Sequence, residues 1–63
     1  MMETTWYLQY LSFEDLYYLV EMHPQDGIIE EHFFDTKTET KDYIKRNYIP
    51  IKKQRYEEVL ESV

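Results

Sequence analysis

The tetrapeptide Pro24-Gln25-Asp26-Gly27 constrains this chain more than any other stretch, and it holds the only glycine among 63 residues. Pro24 presets φ for the start of a turn, and Asp26 can hydrogen-bond its own backbone. Gly27 enters φ > 0 without steric cost. On either side lie Leu16-Tyr17-Tyr18-Leu19-Val20-Glu21-Met22-His23 and Ile28-Ile29-Glu30-Glu31-His32-Phe33-Phe34-Asp35, both rich in β-branched and aromatic residues. A short loop closing on glycine between two such runs predicts a hairpin of residues 16–23 and 28–35.

Pairing His23 with Ile28 across that turn sorts the side chains into two faces. Leu16, Tyr18, Val20, Met22, Ile29, Glu31 and Phe33 share one face. Tyr17, Leu19, Glu21, His23, Ile28, Glu30, His32 and Phe34 share the other. The first set carries a single charge and is the expected core face. A slip of one residue exchanges the two sets.

Residues 6–11, Trp-Tyr-Leu-Gln-Tyr-Leu, read as another strand. Residues 12–22 fit two descriptions. Ser12 followed by Asp15 resembles a capping box, and Phe13, Leu16, Tyr17 and Val20 have the spacing of a helix face. The hairpin is preferred because 28–34 needs a partner and the nearest one costs least loop entropy. Beyond Asp35, Thr38 is the expected N-cap of a helix over about 38–47. Ile49-Pro50 interrupts it, with Pro50 expected in the first turn of a second helix over about 50–62. Tyr56, Val59, Leu60 and Val63 supply that helix with an apolar stripe. The layout is α+β, a small single domain (1–63) with a two- or three-stranded antiparallel sheet followed by two short helices.

The chain has no cysteine, which excludes disulfides and thiolate metal sites. No run approaches the ~20 apolar residues of a membrane span, and the acidic first residues do not resemble a secretory signal. A cytoplasmic protein is therefore expected. Aromatics make up 17% of the residues, which argues for a folded domain despite the net charge of -6. So short a chain cannot bury eleven rings completely, and exposed Tyr and Trp are favoured where partners bind.

Charge is segregated along the chain. Residues 1–40 hold nine acids and one base, 41–56 hold six bases and one acid, and 57–63 hold three acids. The acidic and aromatic hairpin half is the expected site for a protein partner with a basic surface. Glu21, Glu30, Glu31 and Asp35 are its candidate charged contacts, with Tyr17, Tyr18 and Trp6 as candidate anchors. In size, charge and tyrosine content the chain resembles, as a class, small phage or mobile-element inhibitors, including anti-CRISPR and DNA-mimic proteins. That likeness implies a regulator or inhibitor that occupies the basic groove of a nucleic-acid-handling host protein.

The alternative is a small nucleic-acid-binding protein using the basic and tyrosine-bearing stretch 41–56. There Lys45, Arg46, Lys52, Lys53 and Arg55 would hold phosphates while tyrosines stack on bases. The overall negative charge opposes it. Glu21, His23, Glu30 and His32 share a hairpin face, but their spacing is a weak metal signature, and neither a metal nor another cofactor is expected. No enzyme activity is expected either, since the chain has little room for a water-excluding site. Trp6, Tyr10 or a free strand edge can also pair two copies into a homodimer.

Overall fold

Thr5–Leu11 (β1), Leu16–His23 (β2) and Gly27–Phe34 (β3) form an antiparallel meander in the order β1-β2-β3. Lys37–Arg46 (α1) and Lys53–Glu61 (α2) follow. The computed structural model describes residues 3–61, so the anticipated last residue of the second helix, at 62, and Val63 lie outside the described residues. The α+β arrangement is the one anticipated from the sequence.

Residues 16–23 are strand, not helix. β2 is the central strand, and ladders to β1 and β3 satisfy its backbone on both sides. Residues 12–15 form the turn between Leu11 and Leu16. Asp15 adopts φ 54°, and its Oδ1 accepts a 2.6 Å hydrogen bond from the Tyr10 hydroxyl. Phe13, assigned to a helix face by the competing description, stands fully exposed at the turn.

From Tyr17↔Phe34 to Glu21↔Glu30 the hairpin has the anticipated register, and it then slips by one residue. Met22 pairs with Ile28 and His23 with Gly27, leaving Ile29 as an extra residue at a bulge. The His23 ring explains the shorter turn. Its Nδ1 accepts the backbone N–H groups of both Gln25 and Asp26 at 3.1 Å, drawing the loop back onto β2. Gly27 takes φ +79°, where a side chain would be strained despite open space around it.

The core lies on the opposite face from the one expected. Leu8, Tyr17 and Leu19 from the sheet bury with Ile44, Val59 and Leu60 from the helices. Around them pack Trp6, Tyr10, Phe34, Tyr43, Ile49, Ile51 and Tyr56. The two carboxylates that made this face look unsuitable occupy one row, Trp6–Glu21–Glu30, next to the Leu8–Leu19–His32 row and toward the 24–26 turn. There Glu30 is exposed and Glu21 is only partly covered, so the charges sit at the margin of the core. Strand β1 reinforces the choice by adding Leu8 and Tyr10 opposite Leu19 and Tyr17.

The cap of α1 is Thr36, two residues before the anticipated Thr38. Thr36 Oγ1 accepts the Glu39 N–H at 3.1 Å, the geometry favoured by a Thr-x-x-Glu sequence. The same turn lets the buried Thr40 hydroxyl donate to the Thr36 carbonyl at 2.8 Å. At the other end, Tyr48 N–H donates to the Lys45 carbonyl and Ile49 N–H to the Ile44 carbonyl. This is a Schellman closure with Tyr48, at φ 52°, in the position glycine usually fills. Ile49 and Ile51 then pack on the core. Pro50 consequently lies in the connector before α2, outside the helix it was expected to start.

Candidate functional site

With both helices packed against the Leu8–Tyr17–Leu19 face, the other face of the sheet carries no second layer among the described residues. Alternation places Tyr7, Gln9 and Leu11 of β1, Leu16, Tyr18, Val20 and Met22 of β2, and Glu31 and Phe33 of β3 on it. Val20, in the central strand, is buried with Tyr7 and Glu31 opposite it. Its neighbours are more open: Tyr7 is 53% and Phe33 55% exposed, and Ile28 and Ile29 at the bulge are similarly open. The rings of Tyr18 and Phe33, directly paired across β2 and β3, have centroids 5.0 Å apart. Tyr7, Ile28, Ile29 and Phe33 therefore leave this face apolar, aromatic and open.

Charge sets the surface apart further. Residues 5–34 contain six carboxylates and no lysine or arginine, while all seven basic residues fall between 37 and 55. Two of these carboxylates accept hydrogen bonds from hydroxyl groups: Glu21 from Thr4 at 2.6 Å, and Asp15 from Tyr10 at the same distance. The Tyr18 phenol is pushed above its ordinary value by desolvation first, then by the charge of Glu31.

Of the seven residues anticipated as partner contacts, Tyr18 and Glu31 share the open face. Tyr17 is in the core at 4% exposure. Trp6, Glu21 and Glu30 occupy one row of the helix-bearing face, and Asp35 is exposed in the connector before α1. Trp6 stacks on His32, whose Nε2 lies 3.1 Å from the Tyr43 hydroxyl and 3.3 Å from Glu30 Oε2. Roles at Nε2 follow the tautomer: carrying hydrogen it donates to Glu30, and without hydrogen it accepts from the Tyr43 hydroxyl. His23 is turned into its own hairpin loop, and among the described residues no three His, Asp or Glu side chains gather as a metal ion requires. The sequence reading passed over Tyr7 and Phe33, although Phe33 was visible as the residue two along from Glu31.

Lys41, Lys45, Arg46, Lys52, Lys53 and Arg55 are exposed. Lys45 and Arg46 close α1, where its dipole favours them. Lys52 immediately precedes α2, and Lys53 and Arg55 stand in its first turn, where the dipole opposes cations. A cleft of about 430 Å³ separates Trp6 from Ile51, Lys52 and Arg55. Among the described residues, no helix is long and apolar enough to cross a membrane. No known protein family, curated protein or solved structure matches the chain.

Proposed function

We propose that this is a cytoplasmic protein-binding module, a regulator or inhibitor that docks a basic partner surface on the open face of its sheet. One observation carries the reading: an open sheet face bearing Tyr7, Tyr18, Glu31 and Phe33 belongs to a layer with six carboxylates and no lysine or arginine. Apolar rings supply contact area, and the uncompensated charge steers and selects a cationic partner. Proteins that grip nucleic acid carry such cationic surfaces, so a nucleic-acid-handling protein is the partner class this face suits.

The test is affinity capture from the native host, followed by direct binding measurements with the captured protein. Glu31→Lys combined with Phe33→Ser should abolish binding while the circular dichroism spectrum stays native. Glu21→Lys with Glu30→Lys, at the margin of the other face, should leave most of it. Loss through the second pair but not the first would move the site to the helix-bearing side and refute the reading.

A second reading draws on the inverted charge of α2. Cations at the positive end of a helix cost stability, so Lys52, Lys53 and Arg55 point to an anionic ligand such as nucleic acid. It requires a salt-sensitive shift of an oligonucleotide that disappears in Lys52→Glu/Lys53→Glu.

A further inference from the structure

We propose that the open face recognises arginine side chains of its partner at a subsite formed by Tyr18, Phe33 and the Glu31 carboxylate. The inference rests on the open face being the docking surface, and it names the chemical group read there. Tyr18 and Phe33 are a cross-strand pair with ring planes inclined by 34° and centroids 5.0 Å apart. Phe33 is more than half exposed, so one side of the pair faces the partner. Glu31 lies two residues from Phe33 on the same face, diagonal to Tyr18 across the β2–β3 ladder.

A carboxylate offers about four acceptor sites to a donor. The Glu31 carboxylate shares its sheet face with the Tyr18 and Phe33 rings, and ring faces attract cations. A guanidinium group matches this arrangement better than an ammonium. Its plane lies flat on a ring while its edge N–H groups reach the carboxylate, whereas a lysine ammonium is a compact point charge that keeps its hydration. Charge complementarity makes the occupant basic, because no lysine or arginine of the sheet layer competes for Glu31. Cross-strand ring packing accounts for the closeness of Tyr18 and Phe33. It does not account for a carboxylate on the same face as a ring that remains more than half exposed.

The full chain, labelled with ¹⁵N, is titrated with hexa-arginine, hexa-lysine and hexa-citrulline while the amide spectrum is followed. Hexa-arginine should move the amides of Tyr18, Glu31 and Phe33, and hexa-citrulline should move none of them. Hexa-lysine should bind those residues about tenfold more weakly. Glu31→Gln and, separately, Phe33→Leu should each weaken hexa-arginine binding about tenfold with the remaining spectrum unchanged. Equal binding of the arginine and lysine peptides at these residues would overturn the arginine subsite and leave a generally cation-binding face. Shifts confined to the helix-layer acids Glu57, Glu58 and Glu61 would overturn the subsite and the docking face together.

Discussion

Leu19→Ala and Phe33→Ala, compared in the same chain, test which face of the sheet holds the fold together. Leu19 is fully buried in the central strand and belongs to the core shared with both helices. Removing a buried leucine side chain costs about 2–5 kcal/mol, since the cavity collapses only partly. A chain of 63 residues has a total stability of about 3–9 kcal/mol at roughly 0.05–0.15 kcal/mol per residue. Leu19→Ala should therefore sit near the threshold of unfolding. Phe33 is 55% exposed. Full burial of a phenylalanine contributes about 1.5–3 kcal/mol, so a little under half of that gives a loss of roughly 1 kcal/mol. Urea titration followed by Trp6 fluorescence and far-UV circular dichroism reads both. With a slope near ~1 kcal/mol per molar urea, Phe33→Ala should lower the midpoint by about 1 M. Equal costs for the two variants would mean that Phe33 is covered in solution, and the bare-face reasoning would fail.

Two further outcomes follow from backbone and ionisation. Tyr48 holds a left-handed conformation at φ 52° with a side chain 91% exposed. Tyr48→Gly should therefore relieve about 1–2 kcal/mol of strain, lose part of that to glycine's unfolded-state entropy, and raise Tm by several degrees; a lower Tm would give the ring a packing role. Tyr17 and Tyr56 are raised above 10.0 chiefly by burial, and Tyr10 chiefly by its hydrogen bond to Asp15. Because the folded state holds these protons more tightly, their contribution is complete below about pH 10 and is lost as pH rises through the folded-state values. Alkaline unfolding should accompany tyrosinate absorbance, and Tyr17→Phe should move the transition to higher pH. An unchanged transition in that variant would remove Tyr17 from the linkage.

Turn chemistry was legible in the sequence, and the choice between two apolar faces was not. Pro24 and Gly27 mark the hairpin, and period-two pairing recovers the register from Tyr17↔Phe34 to Glu21↔Glu30. The slip at the turn depends on an imidazole accepting two backbone N–H groups, which no spacing rule encodes. β2 is apolar on both sides, with Tyr17 and Leu19 facing one way and Tyr18 and Val20 the other. Counting charges favoured the wrong face because Glu21 and Glu30 fall in a single marginal row. The deciding contacts come from Leu8, Ile44, Val59 and Leu60, all distant in sequence. Charge segregation could be counted directly, yet the sharing of the open face by Tyr18 and Glu31, and the burial of Tyr17, follow only from that tertiary choice.

An exposed apolar sheet face invites a second copy as readily as a foreign partner, and charge decides between them. Two open faces brought together would set Glu31 near its counterpart and oppose two layers that each carry six carboxylates and no lysine or arginine. Repulsion of that kind is strongest at low salt, where the Debye length reaches about 30 Å at 0.01 M, and falls away at 1 M, where it is about 3 Å. Trp6 and Tyr10, the other candidates for pairing two copies, are packed against the core. The two occupants therefore have opposite salt dependences. Added salt should weaken binding of a basic partner, chiefly through a slower association rate, while any self-association through the open face should strengthen. Sedimentation of the free chain alongside binding kinetics across that range separates the two. A dimer that persists at 0.01 M salt and dissociates as salt is added would show that the open face is not what joins its subunits.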